Sequence, residues 1–169
     1  MTVRLQEADF DLAAEAAALA QGRTDVGAVV TFTGICRGAD NGIPITAVCL
    51  EHYPGMAEAE IERHIAAAER RWCLLGVTVI HRYGRLRPGD NIVLVATAAA
   101  HRGDAFAAAE FLMDYLKTEA PIWKREEAAE GARWVEARSA DRGAALRWGS
   151  LEPAVSESAR PREAGEEAK

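Results

Sequence analysis

Two short groups of cationic side chains carry most of the chemistry open to this sequence. Lys117 and Lys124 stand on either side of the Ala120-Pro121 step. On an unbroken helix that spacing would put both on one face, but the residue before a proline is disfavoured in the α region, so the helix must stop by Ala120. The two ammonium groups meet only if the chain folds back at the proline. A lysine held near other cations, or partly desolvated, gives up its proton more readily than its usual pKa of about 10.4 implies, and then serves as nucleophile, base or proton donor. Two surface lysines paired with Asp114 and Glu126 fit the same residues. The second group, His101-Arg102, stands where a strand hands over to a helix. Free N–H groups and the helix dipole favour an anion there, and a guanidinium adds a fork matched to phosphate. A solvated helix start accounts for the pair equally. Arg37 opens a glycine-containing loop, 37–44, from which a side chain reaches a ligand off a rigid base, although an ordinary exposed arginine would look the same.

Other chemistries find less support. His81-Arg82 lies inside a strand pattern and reads as structural. His52 and His64 have no carboxylate or cysteine at metal-ligand spacing, so neither is read as a ligand, and no metal or cofactor is expected. His52 opens HYPGM, a loop suited to shaping a pocket. No GxSxG occurs, which argues against serine hydrolysis. Cys36, Cys49 and Cys73 are odd in number, widely spaced and without CxxC, so they suggest neither a disulfide framework nor a zinc knuckle. Cys49 and Cys73 read as core residues. Cys36 is the thiol that a neighbour, Arg37, can activate.

The elements that must position these residues follow from pattern. Val3 to Leu5 opens as a strand, and Asp11 caps an alanine-rich helix ended by Gly22. GAVVTFTG at 27–34 and ITAVCLEHY at 45–53 read as strands by β-branched and aromatic content. Pro54 suits a helix start, and Met56, Ile61, Ile65, Ala68 and Trp72 recur at helical spacing. Gly76 separates that helix from a strand at 77–84, and the RPGD turn leads to another at 91–99, making two adjacent strands. A second amphipathic helix runs from His101 or Gly103 to Thr118, with Phe106, Ala109, Met113 and Leu116 on one face. IWKRE and RWVEA flank AAEGA as a β-hairpin, and a short helix from Asp141 to Trp148 follows. The mixture, with no glycine-rich phosphate loop, indicates α+β with an antiparallel sheet and packed helices.

The chain has 169 residues, 49% hydrophobic, enough for one domain over 1–149. From 150 to 169 the sequence is polar and aperiodic and reads as a disordered acidic tail. A net charge of −6 argues against coating nucleic acid, so any anion site must be a local exception. The start lacks a signal peptide, and no apolar run approaches the ~20 residues of a membrane helix, so a soluble cytoplasmic protein is expected.

FTGICR at 32–37, LEHYPGMAE at 50–58, VIHRYGRLRPGD at 79–90, AAHRGDAF at 99–106, MDYLKTEAPIWKRE at 113–126 and RWVEAR at 133–138 form an ordered series. On these motifs the chain closely resembles the large, catalytic subunit family of molybdopterin synthase, from about Gly27 to Trp148. The resemblance implies an α/β hammerhead-type fold. It implies a sulfurtransferase that converts cyclic pyranopterin monophosphate to molybdopterin by inserting a dithiolene. The sulfur would come from the thiocarboxylated Gly-Gly C-terminus of a small ubiquitin-like subunit, within a heterotetramer built on a homodimer of large subunits. Carried over by motif, Arg37, His101 and Arg102 fall at the substrate's anionic parts and Lys117 and Lys124 at the reacting centre. Arg125 and Glu126 line the same site, and Arg138 matches a position reaching across the dimer. Ile35-Cys36 departs from the family, which often has a basic residue and a valine there. A noncatalytic subunit that holds a phosphorylated ligand or a partner's tail is the alternative.

Overall fold

The computed structural model describes residues 1–40, 42–128, 131–135 and 139–149. Strand β1 (Thr2–Gln6) leads into helix α1 (Leu12–Ala20), where the Asp11 carboxylate accepts from the N–H groups of Ala13 and Ala14 at 2.9 and 3.0 Å. Next come β2 (Ala28–Ile35), the short β3 (Ala39–Asp40) and β4 (Ile43–Pro44), β5 (Ala47–His52) and α2 (Met56–Arg71). They are followed by β6 (Leu74–Arg82), β7 (Gly84–Leu86), β8 (Asn91–Ala99), α3 (Arg102–Thr118), β9 (Ile122–Ala128), β10 (Gly131–Val135) and α4 (Ser139–Leu146). The α+β class agrees with the sequence reading.

Two four-stranded sheets organise the chain, in the orders β1-β6-β8-β2 and β10-β9-β5-β7, and β3 pairs with β4 alone. Every pairing is antiparallel except β1 with β6, which is parallel. Strand alternation divides the first sheet's apolar residues between two layers. Val77, Val79, Val93 and Val95 meet Ile61, Ile65, Ala108, Phe111 and Leu112 from α2 and α3. Ile80, Leu94 and Ala96 face the other way, against Phe10 and Leu19. The second sheet has its own cluster of Cys36, Ile45, Val48, Leu50 and Leu86, with Ile92 and Ile122 packed against it.

The structure departs from several pattern-based boundaries. Gly76 does not separate helix from strand: it lies inside β6, at a register shift against β8. A Cβ there would stand 2.9 Å from the Leu19 side chain, so the glycine lets α1 approach the sheet. The buried face of α3 is Ala105, Ala108, Ala109, Phe111, Leu112 and Tyr115, one step round from the expected stripe, and Phe106 is 61% exposed. Met56 is also exposed, because the first turn of α2 turns Ala57 inward in its place. Asn41, the residues from 150 onward and Arg138 lie outside the described residues.

Candidate active site

Lys117 ends up in the last turn of α3, and Lys124 on β9, where it stands opposite Leu50 of β5 and Val135 of β10. Between them the helix terminates as expected. Glu119 and Ala120 donate to the Tyr115 carbonyl, and Ile122 donates to Ala120 at 2.7 Å, turning the chain into β9. The turn at Pro121 brings both lysines to one cavity of about 720 Å³ at the seam between the two sheets. Its wall includes Arg37, Asp40, Glu126 and the half-exposed Phe32, Trp123 and Trp134.

An alternating chain of charges runs along this wall. The Arg37 guanidinium donates to Asp40 Oδ1 at 2.8 Å, and Arg133 lies 3.6 Å from Asp40 Oδ2. Arg133 also donates to Glu126 Oε2 at 2.9 Å, and Lys124 Nζ stands 2.7 Å from Glu126 Oε1. The Glu126 side chain is only 2% exposed. Burial by itself would raise its pKa, but hydrogen bonds from Lys124 and Arg133 outweigh that and hold the carboxyl below its usual range. The pairing of Lys124 with Glu126 therefore exists, but inside the protein and not as a surface contact. Asp114 instead accepts from Arg147 and the Trp148 indole, both at 2.7 Å.

Arg125, expected to line this site, is not among the cavity residues, because strand alternation turns it away from its neighbours Lys124 and Glu126. Its guanidinium lies 5.9 Å from the Trp134 ring centroid. His101 and Arg102 are not on the cavity wall either. They line a separate, open depression with Gly27, Ala100 and Gly103 at the N-terminus of α3. Gly27 makes that depression possible, since a Cβ there would fall 2.2 Å from the Ala100 carbonyl oxygen. Arg138 lies outside the described residues.

His81 was read as structural, and it is buried on β6, yet it also lines the cavity. Its Nδ1–H donates to the Arg82 carbonyl at 2.8 Å, and burial brings its pKa down to about 4, so the ring is neutral at pH 7. His64 is buried against Tyr115 with Nδ1 2.9 Å from the Glu60 carbonyl, and burial lowers its pKa too. His52 packs on the Tyr83 ring. Among the described residues no group of His, Cys, Asp and Glu is placed to hold a metal. The cysteines reverse the sequence reading: Cys73 is exposed, Cys49 half-buried, and Cys36 is the core residue. Burial pushes the Cys36 thiol up, against the pull of the Lys124 charge.

Arg133 escaped the sequence reading, although the hairpin that reading proposed contains the signal. In the β9–β10 register Arg133 stands directly opposite Glu126. Cross-strand neighbours of opposite charge are a recurrent pairing.

Fold and cavity together define an α+β protein whose cationic pocket, on a chain of net charge −6, suits a small anionic ligand held against two lysines. The model of the family described as MoaE protein matches residues 5–119, and the chain belongs to that family, the catalytic subunits of molybdopterin synthase, which serve molybdenum cofactor biosynthesis. The molybdopterin synthase catalytic subunit of Mesorhizobium japonicum is 61% identical over 151 residues, covering 88% of this chain and 94% of that one. The molybdopterin biosynthesis MoaE protein of Burkholderia ambifaria superposes with a TM-score of 0.74 at 53% identity, covering 88% of this chain and 99% of that chain. A Helicobacter pylori complex of subunits 1 and 2 of molybdopterin-converting factor shares the fold, with a TM-score of 0.66 at 23% identity over 81% of this chain and 92% of that one.

Proposed function

We propose that the chain is a sulfurtransferase that converts cyclic pyranopterin monophosphate to molybdopterin. The sulfur donor is the thiocarboxylated Gly-Gly C-terminus of a small ubiquitin-like subunit. The observation that carries the reading is the meeting of Lys117, Lys124 and Arg37 in one cavity of an acidic protein, where a phosphate anion and a carbonyl terminus both find cations. The thiocarboxylate sulfur attacks a side-chain carbon of the pterin as a C–O bond of that carbon breaks and its oxygen takes up a proton. Water then cleaves the acyl–sulfur bond, leaving the sulfur on the pterin and a carboxylate on the partner, while the cationic cluster neutralises phosphate and developing negative charge. Lys117, at the helix end, carries acid/base or covalent work beside the partner's terminal carbonyl. Lys124, held by Glu126, orients substrate and stabilises charge.

His101, Arg102 and Arg138 belong to the same reading through a dimer of large subunits. In one chain His101 and Arg102 open on a depression of their own, so a second copy of the chain is what would bring an additional cationic group to the cavity. The H. pylori complex is the precedent for association with a small subunit. One small subunit on each large one gives a heterotetramer. No described helix is long and apolar enough to cross a membrane; the cytoplasmic location is part of the proposal.

The test mixes the purified chain with thiocarboxylated small subunit and cyclic pyranopterin monophosphate and measures dithiolene formation. Product in molar excess over enzyme, with thiocarboxylate resupplied, is the expected result. Tight binding of both components without turnover would replace the proposal with a noncatalytic subunit that holds a phosphorylated ligand or a partner's tail.

A further inference from the structure

Of the linked charges Arg37, Asp40, Arg133, Glu126 and Lys124, all but Arg133 line the cavity. Arg133 approaches from β10 with a half-exposed side chain, at 50%, and spends its guanidinium on two carboxylates that already have cations of their own. One of them, Glu126, is on β9 of the second sheet. The other, Asp40, is on the β3–β4 hairpin, whose strands pair only with each other. At the base of the hairpin Ile45 donates to the Gly38 carbonyl at 2.9 Å, closing it, and Thr46 donates to the Glu127 carbonyl at 2.9 Å, joining it to β9. Both carboxylates are buried while the guanidinium reaches solvent, so the pairing offsets the cost of burying them and also fixes how they point. Two nitrogens of the fork, Nη2 at 2.9 Å and Nε at 3.3 Å, grip Glu126 Oε2, and the same Nη2 lies 3.6 Å from Asp40 Oδ2, a grip that orients the Glu126 carboxylate as a lysine's point charge cannot.

We propose that Arg133 and Asp40 are positioning residues that set Arg37 and Lys124 at a fixed separation across the cavity, so that the anion-binding and reacting ends of a substrate are held in register. Arg133 orients Glu126, and Glu126 in turn presents Oε1 to the Lys124 ammonium. Asp40 turns Oδ2 toward the same Arg133 Nη2 and with Oδ1 holds the Arg37 guanidinium against the wall. A displacement of about 1 Å at a reacting group is enough to cost on the order of 100-fold in rate. The role assigned to Lys124 and Arg37 rests on the sulfur-transfer reading above, whereas the link between the hairpin and the second sheet does not.

The experiment compares Arg133→Met, Arg133→Lys, Asp40→Asn and the double variant Arg133→Met/Asp40→Asn with the wild-type chain, using thiocarboxylated small subunit and cyclic pyranopterin monophosphate. Rates are normalised to folded protein. Arg133→Met is expected to lower kcat by about 10- to 100-fold and Asp40→Asn to act mainly by raising KM for the pterin. Arg133→Lys recovers only part of kcat, because a single ammonium cannot reproduce the two-nitrogen grip on Glu126. The double variant loses less kcat/KM than the product of the two single losses, because both changes break one network. A second readout needs no substrate: amide hydrogen exchange at Ile43 and Ile45 is accelerated in Arg133→Met and in Asp40→Asn, while that of β8 is unchanged. Wild-type protein that forms no product refutes the sulfur-transfer reading and leaves the exchange measurement to decide the link. A kcat within twofold of wild type for Arg133→Met, full recovery by Arg133→Lys, or unaltered exchange at the hairpin would each overturn the inference. Should Arg133→Met fail to fold, Arg133→Lys and Asp40→Asn carry the same comparisons.

Discussion

Acidifying the protein from pH 7.5 to pH 5.0 should cost it stability through one identified side chain. His81 has a folded pKa of about 4 against an ordinary value of 6.5, because burial opposes its charge. Above pH 6.5 the ring is neutral in both states and contributes no difference. Between 6.5 and 4 the unfolded chain binds a proton that the folded chain refuses, so stability falls as pH falls. Each unit of the shift is worth about 1.4 kcal/mol. At pH 5.0, with the folded ring still neutral and the unfolded ring almost fully charged, the loss from this one residue comes to about 2 kcal/mol. The assay is urea unfolding followed by tryptophan fluorescence at several pH values, on the wild type and on His81→Gln, which retains a donor for the Arg82 carbonyl. His64 shifts in the same direction and is present in both proteins, so the difference between the curves isolates His81. Glu126 does not enter this window. Its folded pKa lies below 4.5, so its contribution is present above that value and is lost only as pH falls through the lower folded one. Stability curves for the two proteins that run parallel from pH 7.5 to 5.0 would refute the reasoning.

Three further outcomes follow from the site and its scaffold. Replacing Cys36, Cys49 and Cys73 together with alanine should leave measurable turnover in a folded, partner-binding protein, since the buried Cys36 thiol is pushed away from its reactive form; abolished turnover would make a cysteine of this chain the sulfur carrier. Lys117→Arg should lose single-turnover product formation nearly as badly as Lys117→Ala, by about 100-fold or more, while still binding the small subunit, and near-normal rates would move the proton-transfer role to Lys124. Gly27→Ala should lower the urea midpoint by the equivalent of about 1 to 3 kcal/mol, because its methyl group would collide with the Ala100 carbonyl oxygen, and an unchanged midpoint would mean that the start of β2 yields freely.

The secondary structure was legible where one physical cause dominated. Asp11 as a cap, Pro121 as a stop and the hairpin after it all follow from local stereochemistry, and each stands where the residues put it. Phe106 and Gly76 misled for a common reason. Both depend on which neighbour comes close, and the sequence does not say that α1 will press on Gly76 or that α3 will turn its alanines to the sheet. Within the site, the lysines were visible as a pair that only a reversal could unite. The carboxylates that hold the cations were harder to see. Glu126 entered through resemblance to a family, and Asp40 and Arg133 look like ordinary loop and hairpin charges until strand register and the fold of the hairpin set them side by side. The split of the expected cations between two depressions had no sequence signal, because distance between the ends of β2 and α3 is a tertiary property.

The parallel pairing of β1 with β6 bears on how the chain is made. Thr2 stands opposite Thr78, so the first strand waits for a partner 76 positions later. At the usual pace of synthesis that wait is about 4 to 15 s. The strand following β1 in space cannot be reached by a local turn, so its pairing adds loop-closure entropy to the folding barrier. Helix α1 is held to the same schedule: Asp11 caps it locally, but Leu19 finds its cover on Ile80, Leu94 and Ala96 only once β6 and β8 are in place. The edge of the first sheet that β1 covers would meanwhile stand open in any nascent or refolding chain that has β6 but has not yet docked its N-terminus, making that edge the place where premature association of two chains begins.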